Sequence, residues 1–165
     1  LIEEEFPGIK LAVVGEGDKY NEICRRAEDY NAQRKGGGVI VTGARLDTPH
    51  LMKTADVAVG VGRVALEAMA MVKPVIIAGE AGFMGILDPG NFEVAMRHNF
   101  SGRGSDMKTD AKNMAKSLKH LLRNAGLRKE LGAFGRKAVN ENFSIEIMTE
   151  DILQVYHRVI EEENK

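Results

Sequence analysis

Residues 56–79 read DVAVGVGRVALEAMAMVKPVIIAG, and this stretch decides the fold. Val57, Ala58 and Val59 form an apolar run without alternation, the pattern of a strand buried on both faces of a parallel sheet. Gly60 and Gly62 break the run and let the backbone turn tightly into a helix over residues 63–71, where Val64, Leu66, Ala68 and Met69 are apolar. Lys73 and Pro74 stop that helix, and Val75, Ile76, Ile77 and Ala78 begin the next strand. A glycine turn between a buried strand and a helix leaves unpaired N–H groups at the helix mouth, where the dipole also favours negative charge. Such a mouth is a natural phosphate site. Glu67 lies about one and a half turns inside the helix, close enough to reach a molecule bound there. A solvated helix-surface glutamate is the alternative reading.

Upstream, residues 10–14 are an apolar strand ending at Gly15-Glu16-Gly17-Asp18. Tyr20 occupies the third glycine position of the dinucleotide fingerprint, so a structural turn is the better reading of this segment. Asp18 is the expected cap of a helix whose Tyr20, Ile23, Cys24, Ala27 and Tyr30 share one core-facing side. Gly36, Gly37 and Gly38 end it, and residues 39–42 are a further buried strand closing at Gly43. The loop over residues 44–48 lies at a strand's carboxyl end, where open α/β sheets bind ligands. Arg45 is a ligand candidate there or a solvated loop residue, and Asp47 or Thr48 caps a short helix with Pro49 in its first turn. Strands at 10–14, 39–42, 56–59 and 75–78, separated by helical patterns, predict one Rossmann-like parallel sheet with helices on both faces.

Downstream, Gly79, Gly82 and Gly85 suggest a flexible turn suited to close backbone approach by a ligand. Arg97, His98 and Arg103 add local positive charge and face either a phosphate or acceptor or only solvent; Phe83, Phe92 and Phe100 are placed to tether the segment to the core. The rest is helical. Thr109 is expected to cap a helix with Ala111, Met114, Ala115, Leu118, Leu121 and Leu122 on its apolar face, and a second helix carries Leu127, Leu131, Phe134 and Ala138. Ser144 then caps a closing helix over residues 145–163.

With 165 residues the chain is expected to form a single domain, large enough to bury a core without disulfides or metal. The 23 Lys and Arg balance 24 Asp and Glu, so no net basic field points to nucleic acid and any phosphate site must be local. The single cysteine, Cys24, fits a reducing compartment, and no apolar run reaches the roughly 18 residues of a membrane span. Cytoplasmic residence is the expectation. His50, His98, His120 and His157 lack metal-ligand spacing, and neither a GxxxxGK loop nor a GxSxG elbow occurs.

The run GVGRVALEAMAMVKPVIIAG resembles the most recognisable segment of the family 4 glycosyltransferases, retaining enzymes of the GT-B fold. That family places a glutamate before Gly-Phe-Gly, then apolar residues, Leu-Glu-Ala-Met-Ala and Pro-Val-Ile. The resemblance extends over residues 10–156 and implies the nucleotide-sugar-binding half of a two-domain enzyme. It implies that Gly60 and Gly62 place backbone amides on the donor diphosphate and that Glu67 hydrogen-bonds the ribose. Gly43 and Arg45 then fall in the region flanking the nucleobase, and Gly79 and Gly82 match a glycine-bearing loop beside the donor sugar. Arg63 stands at a usually apolar position, either contacting phosphate or lying on the surface. The family's first glutamate, which contacts the sugar, falls on Val59, and no residue is assigned as catalytic.

The implied reaction is transfer of a glycosyl unit from a nucleoside-diphosphate sugar to an acceptor, with retention and without metal or cofactor. Acceptor candidates are a sugar, a glycan or a lipid-linked saccharide, which leaves room for peripheral membrane attachment of a longer protein. An early strand carrying the family's diphosphate-binding Arg and Lys has no counterpart here, so an N-terminal domain is expected to precede Leu1 and the isolated chain is expected to be inactive. Two other readings stay open: a GT-B enzyme such as an epimerase, and a non-catalytic nucleotide-binding module.

Overall fold

The computed structural model describes residues 2–34 and 38–163, and the chain divides into two compact units, Leu1–Leu51 and Met52–Lys165. Gly36 and Gly37, expected to end the first helix, lie outside the described residues.

In the first unit, β1 (Leu11–Val13) and β2 (Val39–Val41) form a parallel ladder, with Leu11 opposite Val39 and Val13 opposite Val41. Between them runs α1 (Tyr20–Ala32). Lys19 stands at its N-cap and no side chain caps it, so the capping role expected of Asp18 is not seen. Ala27 is buried as expected. Tyr30 is not a core residue: it is 37% exposed because its hydroxyl donates to Glu3 at 2.7 Å and accepts from Arg34 at 2.6 Å. A polar link absent from the sequence reading joins helix to strand. The Asn31 amide donates to Val39 O and accepts from the Gly38 and Val39 amides, all within 3.0 Å. Both strands are only part-covered, with Leu11 and Ile40 about half exposed. The chain leaves this unit through α2 (Thr48–Thr54), with Pro49 in its first turn.

In the second unit, β3 (Ala58–Gly60) runs parallel to β4 (Val75–Gly79), and the intervening α3 (Arg63–Ala70) makes the expected β-α-β unit. The expected four-stranded sheet is therefore described as two parallel pairs, because the three-residue strands of the first unit ladder only with each other. A further strand was not foreseen. Residues 82–86, expected to be a flexible turn, form β5 (Gly82–Ile86), antiparallel to β4 with a register shift at Ile77 and Ala78. Glycine at 82 and 85 hid the strand, yet Phe83 between them is fully buried.

β4 is covered on both faces, as its unbroken apolar run requires. Val75 and Ile77 join a cluster with Ala65, Ala68 and Met69 of α3, with Phe92 and Ala95 of α4 (Phe92–Arg97), and with Phe100. Ile76 points the other way, to Phe83, to Leu121 of α5 (Ala111–Arg123) and to Leu131 of α6 (Ala125–Phe143). The three phenylalanines do tether residues 82–100 to the core. Asp110, rather than Thr109, caps α5 by accepting from Asn113 N–H at 2.8 Å; the Thr109 hydroxyl donates to Gly79 O at 2.9 Å instead. Ser144 caps the last helix, α7 (Ile145–Glu163), as expected, accepting from Ile147 N–H. Along α7, Ile145, Ile152 and Tyr156 remain exposed.

Where α3 stops, Val72 adopts φ +60°, the left-handed conformation usual for glycine. The amides of Val72 and Lys73 then bond to Met69 O and Ala68 O, closing a helix cap that a β-branched residue enters only at a cost. Arg136 donates to Ala70 O, and Gly132 of α6 lies so close that a Cβ there would strike the Val72 carbonyl.

Candidate functional site

The mouth of α3 is built by β3 ending where its two glycines begin. Gly60 has no room for a side chain, since a Cβ would lie 2.6 Å from Val64 Cγ1. Gly62 sits at the N-cap with φ +55° and ψ −126°, a backbone that side-chain-bearing residues avoid. Its N–H, which the sequence reading left open for a phosphate, donates to Phe100 O at 3.1 Å. Val64 N–H donates to Val61 O at 3.2 Å, leaving the Arg63 amide with no intramolecular acceptor among the described residues.

Two candidate side chains flank that amide. Arg63 is 91% exposed and Glu67 41% exposed, and they face each other across one helical turn with Nε and Oε1 3.6 Å apart. A cation in the first turn opposes the helix dipole, and an arginine preceding its acid partner by four residues is the weaker order for such a pair. Helix stability therefore does not account for Arg63. Its placement puts a guanidinium and a carboxylate side by side at the mouth.

Gly79 and Gly82 also belong to this unit, but both face chain. A Cβ on Gly79 would lie 2.7 Å from Val61 Cγ1 and 3.6 Å from Ser101 O; one on Gly82, at φ +156°, would lie 2.5 Å from Gly102 O. The segment over residues 99–102 thus lies against Gly62, Gly79 and Gly82 together. Sequence reasoning placed Phe100 as a tether to the core and missed the close approach of this segment to the glycines; the signal was the pair Gly102 and Gly104, at φ +90° and +83°. Arg97, His98 and Arg103 are exposed. Val59, in β3 beside the glycines, is 42% exposed.

Gly43 and Arg45 lie in the first unit. Gly43 ends β2 at φ +70°, and its carbonyl accepts from Gly15 N–H at 2.9 Å; a Cβ there would meet Glu16 Oε1 at 3.2 Å. Arg45 is not a free loop cation. Its Nε and Nη2 both donate to Asp47 at 2.7 Å, a bidentate pair that holds the Asp47 carboxyl below the usual carboxylate range and raises Arg45. Among the described residues, no group of three or more His, Cys, Asp or Glu is placed to hold a metal, and no helix is long and apolar enough to cross a membrane.

This strand, glycine turn and helix sit within a wider likeness. The sequence pattern described as glycosyl transferases group 1 matches residues 1–138. The chain belongs to that family. The capsular polysaccharide biosynthesis glycosyltransferase CapM of Staphylococcus aureus is 26% identical over 168 residues, which takes in 98% of this chain and 41% of CapM. A mutant of S. aureus TarM, crystallised with Fondaparinux, alpha-GlcNAc-glycerol and UDP, matches 94% of this chain at a TM-score of 0.68 and 22% identity. A second TarM crystal structure matches the same share at a TM-score of 0.64 and 23% identity. At such identity the likeness to TarM carries the fold alone: the mixed α/β architecture of a GT-B glycosyltransferase. This group 1 chain spans 41% of CapM and 30% of the TarM chains.

Proposed function

We propose that this chain is the donor-binding half of a glycosyltransferase that moves a glycosyl unit from a nucleoside-diphosphate sugar to an acceptor with retention. The observation that carries the reading is the α3 mouth, where an open amide at Arg63, an arginine and Glu67 converge behind a glycine turn. The amide and the Arg63 guanidinium would hold the leaving diphosphate, whose charge grows as the glycosidic bond breaks. Glu67 would accept hydrogen bonds from the ribose hydroxyls. The chemistry needs neither metal nor cofactor. The acceptor, whether sugar, glycan or lipid-linked saccharide, and the exclusion of water would come from a further domain of a longer protein.

Titration of the chain with UDP, GDP and ADP tests the reading. Millimolar binding with amide shifts at residues 60–67, and no turnover of UDP-sugars by this chain alone, are expected; shifts confined elsewhere would refute it. Val59, standing where the family's sugar-contacting glutamate falls, favours a second reading, a nucleotide-binding module without catalysis. A longer protein that binds nucleotide and turns over none of a panel of UDP-, GDP- and ADP-sugars would favour the module, whereas an epimerised sugar as product would point to the epimerase.

A further inference from the structure

The segment over residues 99–102 carries two consecutive non-glycine residues with positive φ, Asn99 at +52° and Phe100 at +51°. Left-handed backbone costs an L-residue about 1–2 kcal/mol each, so two in a row persist only where the surroundings hold them. Here the surroundings are plain. Phe100 is fully buried, its ring 5.9 Å from those of Phe92 and Phe143, and its N–H donates to Ala95 O at 2.7 Å. With ring and amide both committed, the left-handed pair turns the one remaining polar group, the Phe100 carbonyl, onto Gly62 N–H. Downstream the segment is clamped again, because Gly82 and Gly102 meet backbone to backbone and a Cβ on either would strike the other's carbonyl.

We infer that Phe100 is a positioning residue for the donor site, acting through its carbonyl on the Gly62 peptide; the inference rests on the donor-binding reading above. The Gly62 backbone lies in a region open to glycine alone and has many alternatives in a free turn. The bond from Phe100 selects one of them. It reserves the Gly62 amide for the protein and aims the next amide, that of Arg63, outward. The glycines at 82 and 102 accordingly serve a backbone-to-backbone fit that fixes the mouth, and the ligand meets what the fit leaves open.

The Asn99 side chain is exposed, so substitutions there act on backbone preference and leave core contacts alone. Asn99→Val, disfavouring positive φ, is expected to release the Gly62 amide to hydrogen exchange and to weaken UDP binding by roughly tenfold, the loss of about one well-placed hydrogen bond. Asn99→Gly should keep both. Gly102→Ala should act like Asn99→Val. Leu118→Ala, on the opposite face of the sheet, should lower the melting temperature and change neither reading, which separates positioning from general loosening. A Gly62 amide that exchanges freely in the unaltered chain, or one that shifts more than Arg63 on UDP addition, would overturn the inference while binding stands. Equal affinities in Asn99→Val and Asn99→Gly would overturn it too. If UDP, GDP and ADP move no amide at any residue, the donor-binding reading fails first and takes this inference with it.

Discussion

β4 and the β1–β2 pair start from the same kind of sequence, short apolar runs without alternation, and end differently. Val75, Ile76 and Ile77 are 2%, 0% and 0% exposed, while Leu11 and Ile40 are 54% and 53% exposed. The contrast teaches that an unbroken apolar run states what a strand can tolerate, and burial depends on what the rest of the chain lays over it. β4 has α3, α4 and α6 supplying one face and α5 with the start of α6 supplying the other. The first unit offers α1 and a set of polar ties: Asn31 to Val39, Tyr30 to Glu3, Arg45 to Asp47.

The contrast breaks or holds on one pair of substitutions. Ile76→Ala removes a fully buried side chain and should cost about 2–5 kcal/mol, whereas Ile40→Ala on a half-exposed strand should cost about 0.5 kcal/mol or less. Chemical denaturation of the two variants measures both. Similar losses would mean that Ile40 is covered in solution and that the two regions are not different in kind.

Glu67→Ala sharpens the same comparison from the side of function, because Glu67 sits on the well-packed α3 without being part of its core. Nucleotide affinity should fall about ten- to a hundredfold, the loss of about 1.5–3 kcal/mol from a charge-assisted hydrogen bond, at an almost unchanged melting temperature. An unchanged titration with a large drop in melting temperature would make Glu67 structural.

Much of this was legible in the sequence because local rules and tertiary demands agree there. The β3, α3, β4 run carries its own turn glycines, its helix stop and its burial pattern, and each element stands within a residue or two of where those signals put it. β5 was illegible because Gly82 and Gly85 read as a loop, and only Phe83 betrays a pleat face turned to the core. Tyr30 read as core because helical spacing puts it beside Ala27, yet its hydroxyl finds Glu3 from outside the helix. At the site, the glycine turn was legible and the part that the protein's own backbone plays there was not. A position that excludes Cβ looks the same in sequence whether the neighbour is a diphosphate or the carbonyl of Gly102.

Val72→Gly tests how tightly the second unit is packed at its least comfortable point. Glycine relieves a left-handed cost of about 1–2 kcal/mol and gives back about 0.4–1 kcal/mol through the freer unfolded chain. A net gain of about 0.5–1 kcal/mol is expected, read as a rise in denaturant midpoint. A loss would show that the half-exposed Val72 side chain contributes more by packing near Gly132 than its backbone costs.

The smallest effect belongs to the first unit, where an ion pair stands in place of packing. The Arg45 hydrogen bonds are the largest influence on Asp47 and lower its pKa in the folded chain, against a residual burial effect that raises it. A carboxyl lowered on folding adds stability that is complete above its unfolded pKa of about 3.9 and is lost as pH falls through the lower folded value. Both side chains are 44% exposed, so solvent and salt screen the pair and its contribution is slight. Acid should therefore loosen the loop over residues 43–47 before it disturbs β4, and the Asp47 carboxyl resonance should titrate below the ordinary range of an aspartate. In Arg45→Ala the Asp47 value should rise into the ordinary range while Ile76 keeps its exchange protection. A titration unmoved by Arg45→Ala would mean that the bidentate pair does not persist in water, and Arg45 would again be a free cation at the end of β2.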